Sequence, residues 1–370
     1  MKKILHISKY YYPYFGGIED VAQTIVEELI PYYEQRVICF NHEKGFKHDT
    51  VGVEITRVGT VYTFSSQPIS QGYKNKLQNL INEFEPDFIH IHLPNPLIAL
   101  LLLTVDLGRA KLITHWHADI LDKKLFYLFC KPIEERILSR SYKVLTTSDM
   151  YKQSSLPLQS VQDITYILPN TINEPKFEPT SDEVLNVNRI KQKYNNKKIV
   201  FFVGRHVNYK GIDYLIEAEQ YIEEDCVVLI AGSGDETLRL KNLAINKERI
   251  HFIGKISNED LKHYLYASTV FAFPSHTRSE AFGVALAEAL YCGLPAVSFH
   301  IEGSGALWVN KHNHTGLVVE NRNAAAFGAA ISTILASDEL RTEYSKNAVA
   351  WVKTHFLKDQ ILPIMREIYK

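Results

Sequence analysis

Apolar residues along the chain fall into two alternating kinds of stretch. Short continuous runs at Lys3 to Ser8, Gln35 to Phe40, Asp87 to His92, Lys111 to His117 and Tyr142 to Thr147 read as buried strands. Between them, Ile18 to Ile30, Lys74 to Phe84 and Leu125 to Ser139 carry apolar residues at helical spacing. Strands that alternate with helices, several of them uninterrupted Val/Ile/Phe runs, predict a parallel sheet covered on both faces. Ligands of such sheets sit beyond the carboxyl ends of the strands. That rule picks out His90, His92, His115, His117 and Asp119, at or just past strand ends.

The pattern is interrupted once. From Glu174 to Glu183 apolar content drops and two prolines appear, which predicts an interdomain linker. A second alternation follows, with strands at Lys198 to Val203, Val227 to Ala231, His251 to Gly254, Val270 to Phe273 and Pro295 to Phe299, and a helix from Gly211 to Ala218. The fold class read from this is α/β with two parallel-sheet domains, the first over 1–175 and the second over 184–350. A chain of 370 residues, 46% hydrophobic, has room for two cores.

A formal net charge of −1 argues against a nucleic-acid binder driven by phosphate contacts. Cys39, Cys130, Cys226 and Cys292 lack metal or redox spacing and read as reduced core residues of a cytoplasmic protein. The N-terminus enters an apolar strand too short for a signal peptide, and the most apolar run, Leu97 to Val105, is far below the length that spans a bilayer.

Candidate chemistry concentrates at strand-to-helix turns. In Ser275 to Leu294 an apolar strand passes through Glu280-Ala281-Phe282-Gly283 into an apolar helix, whose first amides suit a phosphate or sugar oxygen. Glu288 follows eight residues after Glu280, a little over two turns on, so a helix carrying both would show them on one side. Glu288 also interrupts an otherwise apolar helix, where an unpaired carboxylate is costly. Gly16 and Gly17 stand directly before a helix and form a second candidate phosphate cradle. In Gly204 to Gly211, Arg205 supplies a fixed fork and Lys210 a mobile point charge, a plausible diphosphate clamp. Gly232 and Gly234 would let a base or ribose lie against backbone, while Thr237 in place of a third glycine removes the dinucleotide pattern. No Asp-x-Asp occurs in the chain. The His90/His92/His115/His117 set leaves a metal-dependent hydrolase as the alternative. A noncatalytic nucleotide-sugar binder is a further rival.

Gly16-Gly17-Ile-Glu, Phe202-Val-Gly-Arg205 with Lys210-Gly211, Ala231-Gly-Ser-Gly and Glu280-x7-Glu288 together resemble the retaining GT-B glycosyltransferases of family 4. His115-Trp-His117-Ala-Asp-Ile and Gly303-Ser-Gly-Ala-Leu-Trp-Val-Asn310 are similar to a bacterial O-antigen, capsule and exopolysaccharide subgroup that includes mannosyltransferases. The resemblance implies two Rossmann-like domains facing across a cleft, with Trp351 to Tyr369 as one C-terminal helix (351–370) returning to the first domain and kinked at Pro363. It implies Arg205 and Lys210 on the donor pyrophosphate and Glu288 on the ribose. Glu280, with the backbone of Ala281, Phe282 and Gly283, would hold the transferred sugar, Gly16 and Gly17 the phosphates, and His117 the anomeric or C6 region. No metal or other cofactor is implied, and the donor would be GDP-mannose or a UDP-sugar. The same scaffold could instead serve a small-molecule acceptor, or a phosphorylase, for which no pyridoxal lysine signature is evident. The subgroup's acceptor is a saccharide, often carried on a polyprenyl diphosphate. That prompts a reading of Leu121 to Lys143, with Lys123, Lys124, Lys131, Arg136, Arg140, Phe126, Tyr127 and Phe129, as a peripheral contact with the inner membrane surface.

Overall fold

The computed structural model describes residues 1–14, 16–41, 45–64, 67–120, 124–179 and 183–370. It divides into two compact units, the first made of Met1–Thr171 with Lys358–Lys370 and the second of Ile172–Leu357.

Unit 1 is built on an eight-stranded sheet in the order Thr165–Ile167, Lys143–Thr146, Lys111–Trp116, Phe88–Leu93, Lys3–Ile7, Glu34–Asn41, Val53–Gly59 and Lys47–Val51. Every neighbouring pair is parallel except the last. The strand order reverses between Lys3–Ile7 and Phe88–Leu93, so their carboxyl ends flank the switch point where open α/β sheets bind ligands. Phe88–Leu93 is buried along its whole length, which is why it reads as a continuous run. Helix Gly17–Leu29 lays Val21, Ile25 and Leu29 on one face of the sheet beside Ile361, Met365 and Ile368 of helix Lys358–Ile368. Lys358 Nζ adds an ion pair to Glu28 at 3.3 Å.

Unit 2 carries a six-stranded, wholly parallel sheet in the order Ile250–Gly254, Cys226–Ala231, Lys198–Val203, Val270–Phe273, Ala296–Phe299 and Gly316–Val319. Its switch point lies between Lys198–Val203 and Val270–Phe273. Two apolar clusters cover the two faces, one around Phe201, Phe271, Leu286 and Leu290, the other around Val200, Leu215, Val297 and Phe327.

Three expectations change. The crossing between units falls at Thr171/Ile172, ahead of the proline-containing stretch, because Phe177 is buried in the second unit and its carbonyl accepts from Tyr266 Oη at 2.7 Å. Positions 180–182 of the expected linker lie outside the described residues. The terminal segment is two helices, Asp338–His355 and Lys358–Ile368. They part at Phe356, whose backbone leaves the helical region at φ −129° and whose ring packs edge-on against Phe282 and Trp308 at 5.3 and 5.1 Å. The strands Lys47–Val51, Val53–Gly59, Thr165–Ile167 and Gly316–Val319 extend the sheets beyond the runs expected, Lys47–Val51 being largely exposed and polar.

Candidate active site

Both loops at the unit 2 switch point are tied to each other by backbone. Gly211 adopts φ 62°, and a Cβ there would stand 2.1 Å from the Pro274 carbonyl oxygen. The His276 amide donates to the Tyr209 carbonyl at 3.0 Å. The turn Asn208–Lys210 therefore sits directly against the segment leading to Glu280. A third loop closes on them in the same way. A Cβ on Gly232 would meet the Gly204 carbonyl at 1.9 Å, and one on Gly234 the His206 carbonyl at 2.4 Å. These glycines let three loops pack, a use that the flat-ligand reading did not include.

The product of that packing is a buried ion pair. Lys210 Nζ lies 2.5 Å from Glu280 Oε2, and Ser275 Oγ donates to the same oxygen at 2.9 Å. Burial works to lower the Lys210 pKa, but the Glu280 carboxylate and Tyr209 outweigh it, and the net direction is upward. Lys210 is a cation throughout the physiological range. Arg205 is exposed on the same loop, close enough for its charge to act against Lys210. Glu280 is not on the helix. It precedes Val284–Tyr291, with Gly283 at φ 93° as the N-cap, so the picture of two carboxylates on one helix face is corrected: only Glu288 is helical, and it is half-buried. Ala281, Phe282 and Gly283 are buried in the turn, where the Ala281 carbonyl accepts from the Gly305 amide at 2.8 Å and Ser304 Oγ donates to the Glu280 carbonyl. Ser275 and Ser304 were not singled out from the sequence, since a serine beside a turn carries no signal of its own.

In unit 1 Gly16 caps Gly17–Leu29 with an extended backbone, and a Cβ on it would strike Glu19 Oε2 at 2.3 Å. Glu19 and Asp20 already place negative charge on this helix's first turn, which weakens the cradle as a phosphate site until they move. Phe15 of the same loop lies outside the described residues.

His90, His92, His115 and His117 come together as expected, and His6 from the adjoining strand joins them. All five are at most 5% exposed. His117 Nε2 is 2.9 Å from His92 Nδ1, and its ring stacks on His115 at 3.9 Å. Burial pulls the His117 pKa down to about 3, so its ring is neutral and can give or take a hydrogen bond but brings no charge. Asp119 is an anchor: its Oδ1 accepts from Trp116 Nε1 at 2.8 Å and from Ser155 Oγ at 2.7 Å. Burial, then the Asp119 charge, push the Glu134 pKa up to about 7.

Two parallel α/β units, each with glycine-bearing loops at its switch point, define the fold class, and sequence comparison supplies the family. Residues 15–174 match the family described as Glycosyltransferase Family 4 and residues 186–351 that described as Glycosyl transferases group 1. The chain belongs to the GT-B glycosyltransferases of family 4. It is 28% identical to D-rhamnosyltransferase WbpZ of Pseudomonas aeruginosa over 72% of this chain and 68% of that one. It is 24% identical to O-antigen chain mannosyltransferase C of Escherichia coli over 99% and 98%. Among solved structures, sucrose-phosphate synthase from Thermosynechococcus elongatus superposes with a TM-score of 0.80 at 19% identity, covering all of this chain and 98% of that one. The hydrolase alternative gives way to a glycosyltransferase.

Proposed function

We propose that the chain is a retaining, metal-independent hexosyltransferase that moves a sugar, mannose foremost, from a nucleotide diphosphate donor to a growing bacterial surface polysaccharide or lipid-linked oligosaccharide. The buried Lys210–Glu280 pair at the unit 2 switch point carries this reading. A diphosphate brought to that loop would take Lys210 as counter-ion beside Arg205, and Glu280 would turn its acceptor oxygens to sugar hydroxyls. The Ala281–Gly283 turn would line the same sugar, Glu288 would hold the ribose, and Gly232 and Gly234 would border the base. Gly16 and Gly17 would close on the phosphates, and His117 would stand at the anomeric or C6 region as a neutral hydrogen-bonding partner.

In the reaction the bond from the anomeric carbon to the phosphate oxygen breaks and one to the acceptor oxygen forms on the same face. The acceptor's proton passes to the leaving diphosphate, whose growing charge Arg205 and Lys210 stabilise without a metal. The donor would be GDP-mannose or a UDP-sugar. Mannose and a surface-glycan acceptor are supported by the similarity to the O-antigen chain mannosyltransferase of Escherichia coli.

A panel of GDP- and UDP-sugars, titrated with and without EDTA, tests the proposal through thermal stabilisation and transfer. One nucleotide class is expected to raise Tm with the logarithm of its concentration, with or without EDTA. Lys210→Ala and Glu280→Ala are expected to lower kcat by orders of magnitude while the folded state persists; near-normal turnover in either would remove these assignments.

A further inference from the structure

We propose that His6, His90 and His92 form a binding site for a single divalent transition-metal ion of the zinc class within the core of unit 1. Sheet register puts the three together. His6 lies opposite His90 on neighbouring strands, and His92 follows two residues after His90 on the same sheet face. One ring nitrogen from each lies within 4.8 Å of the others. The ring centroids are 5.4 Å apart for His6 and His90 and 4.5 Å for His90 and His92.

Each ring is gripped from behind. His6 Nε2 meets Gln35 Oε1 at 2.8 Å, His90 Nδ1 meets Tyr369 Oη at 2.5 Å, and His92 Nδ1 meets His117 Nε2 at 2.9 Å. The remaining nitrogens, His6 Nδ1, His90 Nε2 and His92 Nε2, are buried without a hydrogen-bond partner. Metal-binding histidines are built in this way: one ring nitrogen is held by an outer partner while the other is left for the ion. For His6 even the tautomer is fixed. Gln35 Nε2 donates to the Val26 carbonyl at 2.9 Å, which leaves Oε1 facing the ring, so His6 Nε2 carries the proton and Nδ1 keeps a lone pair. Burial holds all three imidazoles neutral, with His6 drawn down to about 4, and neutral imidazole is the ligating form.

An ion held at about 2.0–2.1 Å needs nitrogens roughly 3.4 Å apart, so pairs of nitrogens now within 4.8 Å must close by up to about 1.4 Å. Imidazoles favour zinc, copper and nickel over calcium or magnesium, and a solvent molecule would complete a tetrahedral set. Three orphaned buried nitrogens on adjacent strands carry a cost that one ion would remove at once.

The inference is independent of the donor assignment, and its test separates the two. The full chain, stripped with chelator, is dialysed against zinc or cobalt(II), and metal per chain, cobalt visible absorption and Tm are read. One equivalent, a tetrahedral cobalt spectrum and a higher Tm are expected. His6→Gln should abolish uptake, Gln35→Leu weaken it by roughly 10- to 100-fold, and His115→Gln leave it in place. The cobalt spectrum of the unaltered chain reports coordination even if a variant fails to fold. No stoichiometric uptake would mean that buried water satisfies the row, and uptake unchanged in His6→Gln would assign the metal to other histidines. Loss in His115→Gln with retention in His6→Gln would move the ion to His92, His115 and His117. Each of these outcomes overturns the site.

Discussion

Arg57 holds a loop by its carbonyls. Its side chain is 2% exposed, pairs with Asp49 Oδ2 at 2.5 Å, and donates to the Tyr11 carbonyl at 3.2 Å and to the Tyr12 carbonyl. The guanidinium holds the Asp49 carboxyl below the ordinary range. Those tyrosines lead into Gly16 and Gly17, so one buried cation fixes the approach to the helix start. Asp49 lies on a largely exposed edge strand and keeps Lys47 at 3.3 Å, so removing Arg57 does not strand its carboxylate. Arg57→Met is expected to lose about 1–3 kcal/mol in urea unfolding, because the Tyr11 and Tyr12 carbonyls lose their donor. A loss under ~1 kcal/mol would show that water replaces the guanidinium. Alternation in Val53-Glu-Ile-Thr-Arg-Val-Gly sets Arg57 on the face of Val53 and Ile55, yet a lone basic residue in an apolar run does not by itself announce a buried cation. Its role depends on a polar edge strand bringing Asp49 alongside, which periodicity cannot foresee. Lys210 was legible for the opposite reason: a cation between two glycines after a buried strand is placed by local chain geometry alone.

Among elements, the turns at the unit 2 switch point were readable as glycine-bearing strand-to-helix loops, but the backbone-on-backbone contacts their glycines permit were not. Gly211→Ala puts a Cβ within 2.1 Å of the Pro274 carbonyl at a backbone angle that L-residues avoid. Its stability loss should exceed the ~1 kcal/mol of an ordinary glycine replacement, and it should also displace Lys210 from Glu280. Donor-induced stabilisation would then fall further than the loss in Tm alone explains; an intact donor response would mean the loops are not coupled. Helix ends and partners were less legible. In Lys124–Arg140, Leu128 and Phe129 are 66% and 76% exposed and Arg136 and Arg140 are exposed, while Glu134 is buried and exposed Glu135 pairs with Lys131, so the outward face is apolar with a small basic excess. Lys123 lies outside the described residues. Among the described residues no helix is long and apolar enough to cross a membrane. A peripheral contact predicts that Phe129→Glu abolishes sedimentation with anionic liposomes at unchanged Tm. Equal sedimentation of both proteins would retire that face as the contact.

On the scale of the whole chain, the two units should answer different stimuli. The histidine row belongs to unit 1, and its members titrate near 6.5 when unfolded but far lower when folded, His6 at about 4 and His117 at about 3. A depressed histidine pKa gives stability that is present above the unfolded value and lost as pH falls towards the folded one. Each such group costs about 1.4 kcal/mol per pH unit once pH is well below 6.5. Glu134 acts in the other direction, because its folded pKa of about 7 adds stability that fades as pH rises, but it is one group against five histidines. Tyr369 and Gln35, the other polar partners of the row, stay uncharged in this range and do not change the sign. On the proposed function most donor contacts come from unit 2, so nucleotide binding should stabilise that unit more than unit 1. Calorimetry of the chelator-stripped chain at pH 7.5 and 5.5 should show a unit 1 transition that moves down with acid, and a unit 2 transition that rises with nucleotide at both. If one transition instead shifts as a whole under acid and nucleotide alike, the units unfold together and donor binding protects the histidine core as well.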